Sequence, residues 1–463
     1  MPRAAPPASP DKSRVGVAEK LGYGVGDLAN GLYLNFFGFF LLYFFVDLGG
    51  LAPAAVGLML LLTKLVDAVT DPMMGALADR TRTRWGRYRP YLLWGALPLG
   101  ITGTAVFAAP ASLSTGETLV WAYATYTLAM LAYTMVNVPY GGLLGVISPK
   151  ASERASVAAY RMVFSSLAGI AIGVLGTTLV RELGGGDEAR GIFLTMACIA
   201  AVGTACILVT FATTRERIPH PAVNGSVLGD MSALVRTGPW LAVAAAAILG
   251  VLAIASRAGS ALFWFKYVAG DDGAPVLLFL DRVALFYTAL ALGQVTGVIA
   301  GNLLQRRFEK RDLVIAAGAL KVIGIVVFYL VPLDAVWWQT LAQLVVGIGF
   351  GVLMVLAFAM FTDIAEYVDW KTGLQMTGLV VSASIFAVKA GVAFGSAVPG
   401  FLFSATGFVA GVSQSPEALL GIEFAFALVP VMALLPAAIA MLFYRLDRAT
   451  VAQLETELAA RRG

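Results

Sequence analysis

The chain has 463 residues, 59% of them hydrophobic and only 13% charged, with a formal net charge of +4. A mean hydropathy of +0.82 is more than the surface of a water-soluble domain of this length tolerates, so the chain belongs in a bilayer. The basic excess sits in a few short loops rather than on one face, which argues against a nucleic-acid partner, and two cysteines, Cys198 and Cys206 in one apolar segment, leave no disulfide framework or CxxC metal site.

The polar opening MPRAAPPASPDKSR precedes a first apolar segment too long and glycine-studded for a cleaved leader, so residues 1-17 are read as a retained tail. Apolar stretches long enough to cross a hydrocarbon core of about 30 Å follow at 18-46, 52-78, 90-110, 118-147, 155-180 and 191-213. The longest polar connector, 214-238, reads TRERIPHPAVNGSVLGDMSALVRTG and is broken by Pro, Gly and Ser. Further apolar stretches occupy 239-266, 277-304, 312-332, 336-362, 376-406 and 418-444, and 445-463 reads as a short amphipathic tail helix. Lipid offers the backbone no hydrogen-bond partner, and no alternating strand pattern is visible, so all twelve segments are expected to be helices.

The halves look duplicated. GALADRTRTRWGRYRP after the second segment and GNLLQRRFEKRD after the eighth share a frame, with Gly75 and Gly301 each five residues before Arg80 and Arg306. The predicted architecture is an all-α integral membrane protein of two six-helix bundles, 18-213 and 239-444, in the major facilitator arrangement, with a site between the halves near the midplane. Arg80, Arg82, Arg84, Arg87 and Arg89 crowd one loop and Arg306, Arg307, Lys310 and Arg311 another, whereas the alternate loops carry Asp47, Glu117, Asp187, Asp271, Asp272 and Asp334. That asymmetry predicts both termini in the cytoplasm.

Several charges stand inside apolar segments, and each needs a reason. In KLVDAVTDPMMG, Asp67 and Asp71 are one helical turn apart and share a face. Two ionised carboxylates ~6 Å apart at an effective dielectric of ~20 repel by about 3 kcal/mol, so a positive partner is required. A proton or hard monovalent cation would serve; loop arginines holding a cytoplasmic gate are the alternative. Pro72 removes an amide donor and frees the Ala68 carbonyl, and in YTMVNVPYGG the side chains of Thr134 and Asn137, with the Met135 carbonyl freed by Pro139, could complete an oxygen cage. Asp27, Arg161, Arg257, Lys321 and Lys389 are the other intramembrane charges. Lys389, mid-segment among small residues, is expected to face the interior. Asp27 could pair with a lysine or arginine of another helix, and Lys321 could simply snorkel or fill a gap. Tyr23, Tyr33, Tyr133 and Trp264 could stack on a solute or only pack. HExxH, P-loop and GxSxG signatures are absent and the single histidine, His220, lies in the central connector, so an enzyme is not expected.

KLVDAVTDPMMG, WGRYRP, AYTMVNVPYGG, ERASVAAYR, FWFKYVAG and DIAEYVDWKTGLQMTGLVVSASIFAVKAG together resemble the glycoside-pentoside-hexuronide:cation symporters of the melibiose permease type, over nearly the whole chain. The resemblance implies a cation-coupled symporter of the inner membrane, working as a monomer, with Na⁺ or H⁺ as the coupling ion and no other cofactor. It implies a small-molecule solute, a sugar or glycoside, or alternatively a lysolipid or other amphiphile. It further implies that Asp67, Asp71, Thr134 and Asn137 hold the cation, and that Tyr133, Asn137, Arg161 and Lys389 bind solute or couple the two sites. Asp79, Arg80, Arg82, Asp363 and Asp369 fall to a cytoplasmic gate. Two sugar-anchoring positions of the family fall on Gly31 and Gly141, a loss expected to widen the pocket, and Asp27, one turn from Gly31, could stand in for the missing carboxylate.

Overall fold

The computed structural model describes residues 14–110, 112–218, 237–372 and 377–462. Most of the amino-terminal tail and of the central connector, with His220, lies outside the described residues. The helices are α1 (Val17–Leu48), α2 (Pro53–Arg80), α3 (Arg89–Val106), α4 (Thr115–Val146), α5 (Ala151–Gly184) and α6 (Glu188–Thr213) in the first half. The second half holds α7 (Gly238–Val268), α8 (Arg282–Leu304), α9 (Lys310–Leu330), α10 (Val336–Thr372), α11 (Thr377–Ala405) and α12 (Pro416–Met441), followed by α13 (Arg448–Arg462).

Eleven of these are long and apolar enough to cross a membrane by length and composition. The remaining predicted crossing, α3, is only 18 residues long and opens on Arg-Pro-Tyr, but it is packed between α4 and α6 like its neighbours. Polar caps set several starts. Ser114 and Glu117 form a capping box at α4, and Asp281 and Ser415 accept backbone N–H bonds at the first turns of α8 and α12. The cap at Asp281 explains why α8 begins later than the apolar run at 277: Leu277 and Leu280 close a tight turn just before it. α10 runs ten residues past the expected 362, because DIAEYVDWKT continues the helix beyond the apolar stretch.

The packing repeats with the sequence. α1 lies on α5 and α6, α3 on α4 and α6, and α2 on α4; the matching pairs of the second half are α7 on α11 and α12, α9 on α10 and α12, and α8 on α10. The halves meet through α2 on α11, α5 on α8 and α1 on α7. At the end opposite the arginine loops this seam is strongly bonded. Lys266 donates to Asp47 at 2.6 Å and to the Tyr43 hydroxyl at 2.9 Å, Tyr267 also donates to Asp47, Thr177 donates to Asp281 at 3.0 Å, and Phe39 stacks on Tyr287. Asp47 and Lys266 each sit in a single π turn, Phe44–Leu48 and Trp264–Val268, that ends the first helix of its half. A π turn carries an extra residue, which rotates the side chains after it relative to an uninterrupted helix.

Inside a bilayer, helices approach through small residues. Gly293 and Gly297 on α8 face Gly347 and Gly351 on α10, and a Cβ at Gly297 would lie 2.1 Å from the Ile348 carbonyl oxygen. Gly297→Val should therefore force these helices apart and cost about 1–3 kcal/mol, read as a lower unfolding midpoint of the detergent-purified protein. A midpoint equal to the wild type would show that the crossing tolerates the added bulk.

Candidate functional site

α2 sets Lys64, Asp67 and Asp71 on one face, at spacings of three and four residues. Lys64 Nζ lies 3.1 Å from Asp67 Oδ2, and Asp67 is only 2% exposed. Its other oxygen, Oδ1, is buried without a hydrogen-bond partner. Asp71 Oδ1 accepts from the Thr134 hydroxyl of α4 at 3.0 Å, and its Oδ2 is ion-paired with Lys389 of α11. Four charged side chains, two of each sign, thus form a neutral cluster on the α2–α11 seam.

That cluster revises the electrostatic argument from sequence. Two ammonium groups already meet the repulsion between Asp67 and Asp71, one from the same helix and one from the other half, so the pair does not need a guest ion to exist. What stays unmet is the buried Asp67 Oδ1. A carboxylate oxygen with no donor in a buried setting carries a desolvation cost that a proton or a small cation would relieve. Among the described residues no group of three or more His, Cys, Asp or Glu could hold a metal ion, so an ion here would rely on two carboxylates supplemented by neutral oxygens such as the Thr134 hydroxyl. α2 and α4 pass through Pro72 and Pro139 without ending, which leaves the carbonyls of Ala68 and Met135 short of their usual amide donors.

Asn137 lies one turn beyond Thr134 on α4. Its Oδ1 accepts from Asn30 Nδ2 of α1 at 3.2 Å, while Asn30 Oδ1 is buried and unpartnered. Deeper toward the arginine-loop end, Arg161 of α5 donates to Asp27 of α1 at 3.1 Å and lies 5.2 Å from the centre of the Tyr140 ring. Tyr140 stacks on Tyr23, and each hydroxyl donates to the other's backbone carbonyl, at 2.8 and 2.9 Å. Asp27 therefore has its arginine from another helix, one of the two roles open to it in the sequence. Tyr133 is buried on α4 between the two groups of charges.

The two glycines that the resemblance sets at sugar-anchoring positions differ. A Cβ at Gly141 would meet nothing within 4 Å, so that position does open space. At Gly31 a Cβ would come within 2.6 Å of the Ala168 Cβ on α5. The expectation that both glycines widen the pocket is corrected for Gly31: α5 has closed onto it.

Of the gate candidates, Asp79 accepts from the Tyr88 hydroxyl at 2.6 Å and Asp363 from Lys310 Nζ at 2.6 Å, each within its own half, so these two bonds do not join the halves. Arg80 and Arg82 are exposed and Asp369 is buried. Lys321 is fully buried and donates to the Gly250 carbonyl at 3.2 Å, so it fills a gap between helices rather than snorkelling. Arg257 is enclosed by aromatic rings. Sequence reasoning missed Lys64 and Asn30. Lys64 had a signal, its place three residues before Asp67 in the same motif; Asn30 had none beyond being polar in an apolar helix.

Two sets of six helices in matched pairings, eleven of the twelve long and apolar enough to cross a membrane, with a charged cluster on the seam between them, define a membrane transporter of the major facilitator fold. The family model described as MFS/sugar transport protein matches residues 22–448, and the chain belongs to that family, the cation-coupled symporters of the melibiose permease type. The inner membrane symporter YicJ of Escherichia coli (strain K12) is 31% identical over 446 residues, spanning 96% of this chain and 95% of its own. The putative glycoside/cation symporter YagG of the same strain is 32% identical over 450 residues, spanning 96% and 95%. Among solved structures, a bacterial homologue of the human lysosomal transporter Spinster, inward-facing and unoccupied, superposes with a TM-score of 0.67 at 15% identity, covering 97% of this chain and 99% of that one; it speaks for the fold alone.

The contrast between the glycines is testable. Gly141→Ser should leave the unfolding midpoint within about 1 °C of wild type, whereas Gly31→Asp, which puts back the family's carboxylate, should destabilise by roughly 1–3 kcal/mol through its clash with Ala168. Equal midpoints for the two variants would contradict the packing at Gly31.

Proposed function

We propose that the protein imports a sugar or glycoside together with Na⁺ or H⁺ by alternating access, the two six-helix halves 18-213 and 239-444 rocking about the seam. The observation that carries the coupling is the sharing of Asp71 between Thr134 and Lys389 beside an Asp67 oxygen with no partner. A monovalent cation entering between Asp67, Asp71 and Thr134, with Asn137 nearby, competes with Lys389 for Asp71. The released ammonium then turns toward the solute, which Tyr133, Asn137, and the Asp27–Arg161 pair line. Ion and solute each improve the other's site, by a coupling free energy of typically ~1–3 kcal/mol.

The name of the glycoside/cation symporter relative supports a sugar or glycoside. An amphiphilic solute such as a lysolipid is the second reading, favoured by the open space at Gly141. Asp79, Arg80, Arg82, Asp363 and Asp369 form the gate at the arginine-loop end, where the halves would meet once the bonds around Asp47 and Lys266 part. That end faces the cytoplasm in a cell inner membrane, with both termini on the same side, and one chain suffices for transport.

In proteoliposomes, Asp67→Cys and Asp71→Cys should abolish uphill accumulation while each protein remains folded and inserted. Solute concentrated against its gradient by a correctly inserted Asp67→Cys protein would remove that carboxylate from the coupling. Lys389→Ala should still bind solute but lose its stimulation by cation; stimulation of wild-type size would defeat the exchange. A thermal-shift screen of sugars, glycosides and lysolipids, with and without Na⁺ at two pH values, identifies both ligands where stabilisation needs the two together.

A further inference from the structure

Away from the carboxylate cluster, the second half buries a full positive charge that no acid among the described residues pairs with. Arg257 of α7 is 1% exposed. Its Nε donates to Gln343 Oε1 of α10 at 3.1 Å and its Nη1 to the Phe426 carbonyl of α12 at 2.8 Å. The rings of Phe426, Phe328 and Phe286 have their centres 4.0, 4.7 and 5.4 Å from its guanidinium carbon. Glu423, the acid one turn away on α12, accepts a bond from Tyr329 instead. Aromatic faces stabilise a guanidinium, by about 2 kcal/mol when desolvated, but they carry no net charge to neutralise it.

Among the described residues, the buried side-chain atoms left without a partner around this arginine are all donors. Arg257 Nη2, Gln343 Nε2, Gln339 Nε2 and Trp264 Nε1 are each buried without a hydrogen-bond partner. The Gln343 amide has a defined sense, because its oxygen takes the bond from Arg257 Nε. Trp264 stacks on Phe426, the same ring that Arg257 covers, so that ring separates the indole from the guanidinium. Gln339 and Gln343 are one turn apart on α10, which runs opposite to α7, so Gln339 lies toward the Trp264 level and Gln343 at the Arg257 level. Arg257 Nη2 and Gln343 Nε2, with Gln339 Nε2 one turn along α10, are three donors beside one cationic charge, and with no acceptor among the buried unmatched atoms of the described residues around them they call for an acceptor of negative charge. Water is a poorer match, since it would need acceptors for its own two protons.

We propose that Arg257 and Gln343, with Gln339 one turn farther along α10, hold a small monovalent anion of the chloride class. The anion neutralises Arg257 and ties α7, α10 and α12 together. It is a structural ligand, independent of the cation and solute assignments above.

The test compares unfolding midpoints of the detergent-purified full chain in sodium chloride and sodium gluconate, at equal Na⁺ and ionic strength. Chloride should raise the midpoint saturably, by roughly 2 °C or more, and bromide should replace it. Gln343→Glu places a carboxylate of the same shape against the guanidinium and supplies the negative charge from the chain. That variant should fold and its midpoint should no longer respond to chloride. Crystals grown in bromide should show an anomalous peak at Arg257 Nη2. An identical wild-type midpoint in the two salts would overturn the proposal, as would a full chloride response retained by Gln343→Glu.

Discussion

The contact on which the rest depends is the ion pair between Asp71 on α2 and Lys389 on α11, drawn from opposite halves of the chain. A carboxylate pair on one helix face cannot remain doubly ionised in a medium that solvates it poorly unless positive charge is brought to it. Here that charge comes from one lysine on the same helix and one across the seam, so the electrostatics of α2 is tied to the relative placement of the halves. In the proposed cycle this gives coupling its physical form: a cation that takes the place of Lys389 removes a bond between the halves as it binds. A ligand can shift such an equilibrium only by binding one arrangement better than the other, and exchange at Asp71 supplies that difference.

The halves share a packing plan and both pair buried acids with bases, but the second half also buries two cations that no acid among the described residues pairs with. The first half pairs acid with base between helices, as in Asp27 with Arg161, and between a helix and the chain beyond α6, as in Glu19 with Arg217. The second half has such a pair in Lys310 with Asp363, but its Arg257 and Lys321 have aromatic rings, backbone carbonyls and, for Arg257, the Gln343 amide for neighbours. A charge partnered by carbonyls and rings is held rigidly and has no acid to exchange with, which suits a scaffold. A charge partnered by a carboxylate can be exchanged for an ion, and such pairs are where the proposed chemistry lies.

Bonds across the seam at the Asp47 end have the same logic on the scale of the whole molecule. Asp47 and Lys266 come from π turns at equivalent places in the two repeats, so one local distortion, duplicated, aims two opposite charges at each other. Breaking that contact would leave a buried Asp47 without its ammonium, a cost that must be met elsewhere, and the bonding of Asp79 and Asp363 inside their own halves leaves the arginine-loop end unlatched by those two acids.

Hydropathy is a local property, and a membrane makes backbone hydrogen bonding local too, so the crossing segments, their duplication and the helix carrying Asp67 and Asp71 could all be read from the residues alone. Where a polar stretch continued a helix, as in α10 beyond 362, the apolar run ended before the helix did. The unmarked distances lie between helices. Lys389 is 318 positions from Asp71, and nothing along the chain says which carboxylate it meets. Nor could two identical glycines, Gly31 and Gly141, be told apart, since one abuts α5 and the other open space only because of how the helices are rotated about their axes. The sequence by itself determined that charges had to be compensated inside the membrane; tertiary structure decided by what, because compensation depends on a few ångströms between side chains that only the packed bundle brings together.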